Sequence, residues 1–270
     1  MSSCKTVPFL RWAGSKRKSF SILREYWRDD FTCYLEPFAG SASLFFHLLP
    51  PKAVLSDING DLISTLQTVR DNPLGVFNSL RGRPVNSEYY YKLRSRDPLS
   101  LTSTERAARF IYLNRFCFNG IYRTNKKGQF NVPFSGTRTG KKPDRQHLLE
   151  CSEHLKRAHV VQGDFEEIVR STTKAGNFVY LDPPYATNSR RIFNEYDSQS
   201  FGLQDLSRLS GLLDFIDQCG AKFVLSYADC PEANEAFRKW KTKKYSVQRN
   251  VSGFAHTRRM ATEIICTNIK

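Results

Sequence analysis

Apolar and polar positions along this chain alternate between two periods. Tyr34-Leu35-Glu36 reads as a short strand running into Pro37-Phe38-Ala39-Gly40, and the pattern after it predicts a helix from about Ser43 to Leu49. Ala53 to Asp57 reads as the next strand and Asp61 to Arg70 as the next helix. A β-α-β-α opening of this kind begins a doubly wound sheet. From about residue 71 to 150 the alternation breaks. Thr102-x-x-Glu105 has capping-box spacing, and Ala107, Ala108, Ile111 and Tyr112 continue it as a helix to about Phe116. Gly120, Gly128, Pro133 and Gly136 punctuate the next stretch into a hairpin or loops. Alternation resumes with an apolar strand from Asn177 to Leu181 and an amphipathic helix from Leu203 to Gln218, stopped by Gly220. Lys222 to Tyr227 and Thr262 to Thr267 read as two more strands. The expected architecture is α/β: a doubly wound, Rossmann-like sheet interrupted by a basic, mainly helical insert.

Length and composition fit that picture. A chain of 270 residues accommodates one catalytic domain with a sizeable insertion, or two small domains. Its 40% hydrophobic and 25% charged residues suit a globular core. There is no apolar run long enough to span a bilayer, and Met1-Ser2-Ser3-Cys4-Lys5 leads into no apolar leader region. The expected address is the cytoplasm, with no membrane partner.

Charge narrows the choice of partner. Lys and Arg total 41 against 26 acids, a net charge of +15, which suits a polyanion whose counterions are released on binding. The excess concentrates between Arg106 and Arg145, where Arg109, Arg115, Arg123, Lys126, Lys127, Arg138, Lys141 and Lys142 face only Glu105 at the edge and Asp144. Phe116, Phe118, Tyr122, Phe130 and Phe134 lie among these cations, and aromatics so interleaved suit bases as well as phosphates. The seven cysteines are odd in number and form no C-x-x-C, and the five histidines show no ligand spacing. Neither a disulfide framework nor a metal site is expected.

The stretch Phe178-Val179-Tyr180-Leu181-Asp182-Pro183-Pro184-Tyr185 carries the chemistry. A buried strand delivers a carboxylate, two prolines and an aromatic at its C-terminal end, where open α/β sheets bind their ligands. The alternative is an ordinary strand-to-loop turn. The set suits methylation of an exocyclic amine, whose lone pair is delocalised into its ring. A carboxylate accepting one N–H and a main-chain carbonyl accepting the other would draw the nitrogen towards tetrahedral geometry. Proline lacks an N–H and stiffens the backbone there, and the aromatic can stack on a base taken out of a duplex.

D-P-P-Y, preceded by F-L-R-W-A-G-S-K (residues 9–16) and E-P-F-A-G (36–40), resembles the DNA adenine methyltransferase (Dam) family, with the motifs in the family's order. The resemblance runs from Phe9 to about Phe134 and again from Asp182 to the C-terminus. It implies S-adenosylmethionine as cofactor, with Trp12, Ala13, Gly14 and Lys16 against it, the indole packing on it and the lysine at its carboxylate. Glu36, Pro37, Phe38, Gly40 and Ser41 would form the loop beneath its methionine portion. Asp57, followed by Ile58, would accept the ribose hydroxyls, and Asp164-Phe165 would bind the cofactor's adenine. Asp182 would serve both cofactor site and chemistry, with Pro183, Pro184 and Tyr185 completing the catalytic set. Where the family has a second glycine, this chain has Ala42, a change small in volume that bears on the local backbone.

The resemblance also assigns a DNA-binding set. Phe118 would wedge into the base stack with Asn119 beside it, and Arg123 would read a guanine edge. Ile121 and Pro133 would meet thymine methyls, and Arg11 stands where the family has a lysine that contacts the first guanine. Arg115 and Asn125 of the matched stretch, with Lys126 and Arg138 of the basic segment, complete the set. After D-P-P-Y the chain departs from the family's P-L-S-x-T with the more basic Ala186-Thr187-Asn188-Ser189-Arg190-Arg191, while Phe193, Tyr196 and Phe201 keep the aromatic spacing.

Rival chemistries lack their residues. No cysteine follows a proline, as cytosine-C5 transfer needs, and the H-x-E and P-C-x-x-C signature of base deaminases is missing. No G-x-x-x-x-G-K-[ST] phosphate loop is present. Glutamine methylation goes with N-P-P-Y instead, an RNA adenine is the nearest other substrate, and a non-catalytic binder would not need Asp57 and Asp182. The expected protein is a monomer without an obligatory protein partner. By the resemblance it would methylate N6 of adenine in duplex DNA, within GATC or a longer site containing GAT, by base flipping and direct transfer. Residues 1–60 and 146–270 would form the catalytic domain and 61–145 the target-recognition insert carrying a β-hairpin.

Overall fold

The computed structural model describes residues 6–136, 140–185, 201–248 and 260–270. Helix α1 (Phe20–Arg24) precedes β1 (Tyr34–Glu36), α2 (Ser43–Leu48) and β2 (Ala53–Asp57). Five helices then follow in a row: α3 (Gly60–Asp71), α4 (Pro73–Leu80), α5 (Ser87–Ser95), α6 (Ser103–Phe116) and α7 (Arg145–Leu155). Alternation returns with β3 (Ala158–Gln162), α8 (Phe165–Thr172), β4 (Phe178–Leu181), α9 (Leu203–Gln218) and β5 (Lys222–Ala228). Helix α10 (Pro231–Ala236) leads into β6 (Lys241–Gln248) and β7 (Met260–Thr267).

Among the described residues seven strands form one sheet in the order β3-β2-β1-β4-β5-β7-β6. The first five pair in parallel, and β7 runs antiparallel to both β5 and β6. Side chains alternate across the sheet with the two-residue period of a strand. Tyr34, Phe178 and Tyr180 enter one buried layer with Phe45 and Leu66, while Leu35, Val179 and Leu181 enter the other with Leu212 and Phe223. A parallel strand covered on both faces must be apolar throughout, which is why Phe178-Val179-Tyr180-Leu181 has no polar position. From β1 the chain steps outward to β2 and β3, then returns to lay β4 on the other side of β1. The carboxyl ends of β1 and β4 therefore flank a topological switch point, where open sheets of this kind bind ligands.

Helix α6 packs against α3, α4 and α5. Its capping box forms: Thr102 Oγ1 accepts from the Glu105 N–H, and Glu105 Oε2 accepts from the Thr102 N–H. Arg109 is buried on this helix and donates to the carbonyls of Leu93 (3.0 Å) and Arg94 (2.7 Å), two of the acceptors that the end of α5 leaves open. Helix α9 ends as its glycine predicts: Gly220 has φ +75°, and the N–H groups of Gly220 and Ala221 bond back to Asp217 and Ile216.

Between Cys117 and Phe134 the chain reverses on two isolated bridges, Cys117 to Phe134 and Thr124 to Phe130, with no regular strand between them. The Phe118 N–H donates to the Pro133 carbonyl and the Asn131 N–H to that of Arg123. Strand β6 has no counterpart in the sequence reading. Lys241-Thr242-Lys243-Lys244 is too polar to signal a strand, and lysines of this kind protect an exposed sheet edge. The six described cysteines are free thiols, and no described helix is long and apolar enough to cross a membrane.

Candidate active site

Four neighbouring strands place acids at their carboxyl ends: Glu36 closes β1, Asp57 closes β2, Asp164 follows β3 and Asp182 follows β4. Asp182 lies at the switch point between buried Leu181 and buried Pro183, with its side chain 20% exposed. The ammonium of Lys16, delivered by the N-terminal segment, stands 3.1 Å from Asp182 Oδ1. Lys16 also donates to Tyr185 Oη at 2.7 Å and lies 3.4 Å from Glu263 Oε2. Tyr185 in turn donates to Glu263 Oε1 (2.9 Å), and Tyr245 donates to Glu263 Oε2 (2.8 Å). Two carboxylates, one ammonium and two phenols thus form one connected group.

Burial pushes the Asp182 carboxyl above its ordinary range; Lys16 opposes this and Glu263 adds to it. Burial works against the Lys16 charge, but Asp182, Tyr185 and Glu263 outweigh it and hold the ammonium protonated. Glu36 accepts from Tyr34 Oη at 3.0 Å. Burial drives its carboxyl up to about 8, against the pull of that hydrogen bond and with a contribution from Asp182. Near neutral pH, Glu36 therefore carries a proton a large part of the time while Lys16 stays charged.

The glycine loop is built on Asp57. Its Oδ2 accepts from the Gly40 N–H and its Oδ1 from the Asn59 N–H, both at 3.0 Å. Burial raises the Asp57 carboxyl and these amides hold it back. Gly40 has φ +49°, and a Cβ there would come within 2.7 Å of Trp12 Cδ1. The Trp12 indole thus lies directly on the loop, and it also stacks on Tyr122 (5.8 Å between centroids, 20° between planes). Ala42 keeps the left-handed conformation that a glycine takes freely, φ 51°, at a cost of about 1–2 kcal/mol. Pro37 and Ser41 are buried, Ile58 is half exposed, and Ala13 and Gly14 are exposed. Asp164 caps α8 by accepting from the Glu166 N–H. Phe165 stacks on Phe38 at 5.1 Å. Arg208 of α9 fixes both residues of that pair, bonded to Asp164 and with its guanidinium 4.6 Å from the Phe165 ring centre.

The residues assigned to DNA divide into two groups. Arg11 is clipped to α6: its N–H donates to Asn114 Oδ1 (2.8 Å), and Asn114 Nδ2 donates to its carbonyl (2.6 Å). The Arg11 side chain lies over Gly120, where a Cβ would come within 2.9 Å of it. Arg115 donates to the Lys141 carbonyl. Phe118 and Asn119 are exposed beside Gly120, Asn119 at φ 55°, and Ile121 is partly buried. Pro133, bonded to Phe118 through its carbonyl, is exposed in this first group. The second group lies at the far turn. There Arg123 Nε donates to Asn131 Oδ1 (2.8 Å), and Asn125 Oδ1 accepts from the N–H groups of Lys127 and Gln129. Asn125 is thus occupied in shaping the turn, and Lys126 is exposed on it. Arg138 and the segment 186–200 lie outside the described residues. Glu263, Tyr245 and Arg208 are the members of the site that the motifs did not reveal.

Comparison with known proteins identifies a family. The family model for the D12 class N6 adenine-specific DNA methyltransferases matches residues 12–252. A type II methyltransferase, M1.LlaDCHI of Lactococcus lactis subsp. cremoris, is 35% identical over 97% of this chain and 95% of its own length. The type II methyltransferase M.MjaIII of Methanocaldococcus jannaschii is 36% identical over 81% of this chain and 83% of its own. The DNA adenine methylase of Escherichia coli is 29% identical over 97% of this chain and 95% of its own.

Proposed function

Because the chain belongs to the D12 class of N6 adenine-specific DNA methyltransferases, we propose that it flips the adenine of a GATC site out of duplex DNA and methylates it with Asp182 as the acceptor for an N6 hydrogen. The observation that carries the reading is Asp182 itself. It is a largely buried carboxylate at the switch point, followed by two prolines, with Lys16 within 3.1 Å. Asp182 orients the amine by accepting one N–H, and the main-chain carbonyl of the Asp182-Pro183-Pro184 turn accepts the other. Tyr185 faces the extruded base, and Pro183 and Pro184 keep the turn stiff. Water exclusion strengthens each of these contacts, since charge is poorly screened in a buried site.

The family implies S-adenosylmethionine, and the donor set suits it. Asp57 keeps acceptor capacity beyond its backbone partners for a ribose diol, with half-exposed Ile58 beside it. Gly40 and Trp12 offer close backbone approach and an aromatic face, and Asp164 with Phe165 and Phe38 offers a polar edge beside stacked rings for an adenine. When bound, the cofactor supplies an electrophilic methyl group on a sulfonium. Lys16 has Asp182, Tyr185 and Glu263 within 3.4 Å, so in this reading it serves as counter-ion to Asp182 at the edge of the cofactor site.

In this reading residues 61–145 are the recognition insert, and the protein acts as a monomer. Exposed Phe118 and Asn119 suit entry into the base stack, and Arg11, Arg115 and Lys126 suit the flanking bases and phosphates. Arg123 reads a guanine with the donors that Asn131 leaves over, since only its Nε is engaged there. Adenine-modification sequencing of a methylation-free host expressing the chain tests the proposal. N6-methyladenine confined to GATC is the expected result. Methylation at another motif, such as a longer GAT-containing site of a restriction system, would overturn the base-reading assignments and keep the chemistry. Failure of folded protein to methylate duplex DNA in vitro would overturn the mechanism. Arg123→Ala is expected to relax selection at one base pair by about 1–3 kcal/mol. Weakening that is equal on all sequences would make Arg123 a phosphate contact instead.

A further inference from the structure

We propose that Glu263 is a positioning residue for methyl transfer: its carboxylate shares Lys16 with Asp182 and pins Tyr185, leaving Asp182 able to accept the hydrogen of the target amine. The inference rests on the reading of Asp182 given above. Glu263 belongs to β7, opposite Ala228 of β5 and Tyr245 of β6, so the antiparallel end of the sheet brings it to a site otherwise built from parallel strands. It is only 4% exposed. Its two oxygens take the hydroxyls of Tyr185 and Tyr245, and Oε2 lies 3.4 Å from the Lys16 ammonium.

The arrangement has an electrostatic and a geometric consequence. Among the described residues the carboxyl groups of Asp182 and Glu263 both face the one ammonium of Lys16. Without Glu263 the ammonium would keep Asp182 and Tyr185 and draw more heavily on Asp182, making that carboxylate a weaker acceptor for an amine hydrogen. Charges so little exposed are weakly screened, so the competition for Lys16 is felt in full at Asp182. The geometric consequence falls on Tyr185. Its hydroxyl accepts from Lys16 and donates to Glu263, and its ring packs edge-on against Tyr227 at 5.1 Å. The face presented to a base is thereby set from both ends of the side chain.

Glu263→Gln tests this, because the amide keeps the volume and one acceptor and removes the charge. Single-turnover transfer at saturating DNA and cofactor is expected to fall about 10–100-fold, less than for a group touching the reacting atoms. Duplex affinity measured without cofactor, and the melting temperature, should stay close to wild type. If Glu263 acts by competing for Lys16, the same change made in a Lys16→Met background should cost far less, a non-additivity that a packing role would not produce. Tyr245→Phe, which loosens Glu263 from outside the Asp182–Lys16 pair, should slow transfer about two- to tenfold and keeps the test open if the glutamine variant does not fold. A wild-type rate in both variants would overturn the role of Glu263, provided that Asp182→Asn is slowed by about 10²–10³-fold; an Asp182→Asn rate within about tenfold of wild type would bring down the underlying reading instead. Equal losses of rate, DNA affinity and stability in both Lys16 backgrounds would make Glu263 a structural carboxylate and would equally overturn the proposal.

Discussion

Replacing Asp182 by asparagine is expected to slow methyl transfer by about 10²–10³-fold, the range seen when a preorganised partner of the reacting group is lost. The amide preserves shape, and its carbonyl can still accept a hydrogen bond. What it lacks is negative charge where positive charge develops on the methylated nitrogen. The fold should survive, because Lys16 keeps Glu263 and Tyr185 as partners and is not left as an unpaired buried cation. Duplex binding should survive as well, since it draws mainly on cations elsewhere. The acidic limb of the rate profile belongs to the same group. Burial places the Asp182 carboxyl above the usual aspartate range, so wild-type transfer should fall as pH drops through that raised value and the acceptor becomes protonated. Single-turnover rates on a duplex carrying one target adenine decide the matter. A rate for Asp182→Asn within about tenfold of wild type would remove the carboxylate from the mechanism.

The parts of this architecture that are encoded locally were legible in the sequence. Strands β1, β2, β4 and β5 announce themselves as apolar runs, the start of α6 by the Thr102–Glu105 box, and the end of α9 by Gly220. The structure shifts their bounds by a residue or two: α2 stops at Leu48 and β7 begins at Met260. Asp182 and Lys16 were likewise visible as members of motifs. Their contact was not, because it depends on the N-terminal segment crossing to the end of β4. Glu263 left no signal, since Thr262-Glu263-Ile264-Ile265-Cys266 reads as one strand with an interrupting acid. Its place follows from the register of β7 against β5 and β6, which no short window contains. Arg208 was invisible for a similar reason. It looks like one more cation on the polar side of an amphipathic helix until α9 packs beside α8 and brings it to Asp164 and Phe165. Ala42 shows the opposite case. The departure from glycine was plain in the sequence, and the surrounding fold holds the left-handed backbone with alanine in place.

The N-terminal segment that carries Arg11, Trp12 and Lys16 joins no described strand of the sheet, so on the proposed roles of these residues its attachment should affect both transfer and base selection. Asn114 is the centre of that attachment. It is 2% exposed, and its amide answers both the N–H and the carbonyl of Arg11. Phe9 and Leu10 bury their side chains just before it, Trp12 covers Gly40 just after it, and Lys16 reaches Asp182 four residues beyond that. Asn114→Ala removes two hydrogen bonds and leaves a backbone donor and acceptor without their partners, so a loss of about 2–4 kcal/mol is expected. In a chain of this size that is a fall in melting temperature of roughly 4–16 °C. The loss should not stop at stability. Because α6 runs on into the 117–134 reversal, freeing Arg11 loosens the seat of Gly120 and of the exposed Phe118 beside it. Slower transfer and weaker discrimination between bases should therefore accompany the lower melting temperature, even where the protein is fully folded. A melting temperature within about one degree of wild type would mean that Phe9 and Leu10 hold the segment by burial alone. In that case transfer and base selection should be unchanged too, and the clip between Arg11 and Asn114 would not be what joins the catalytic cluster to the recognition segment.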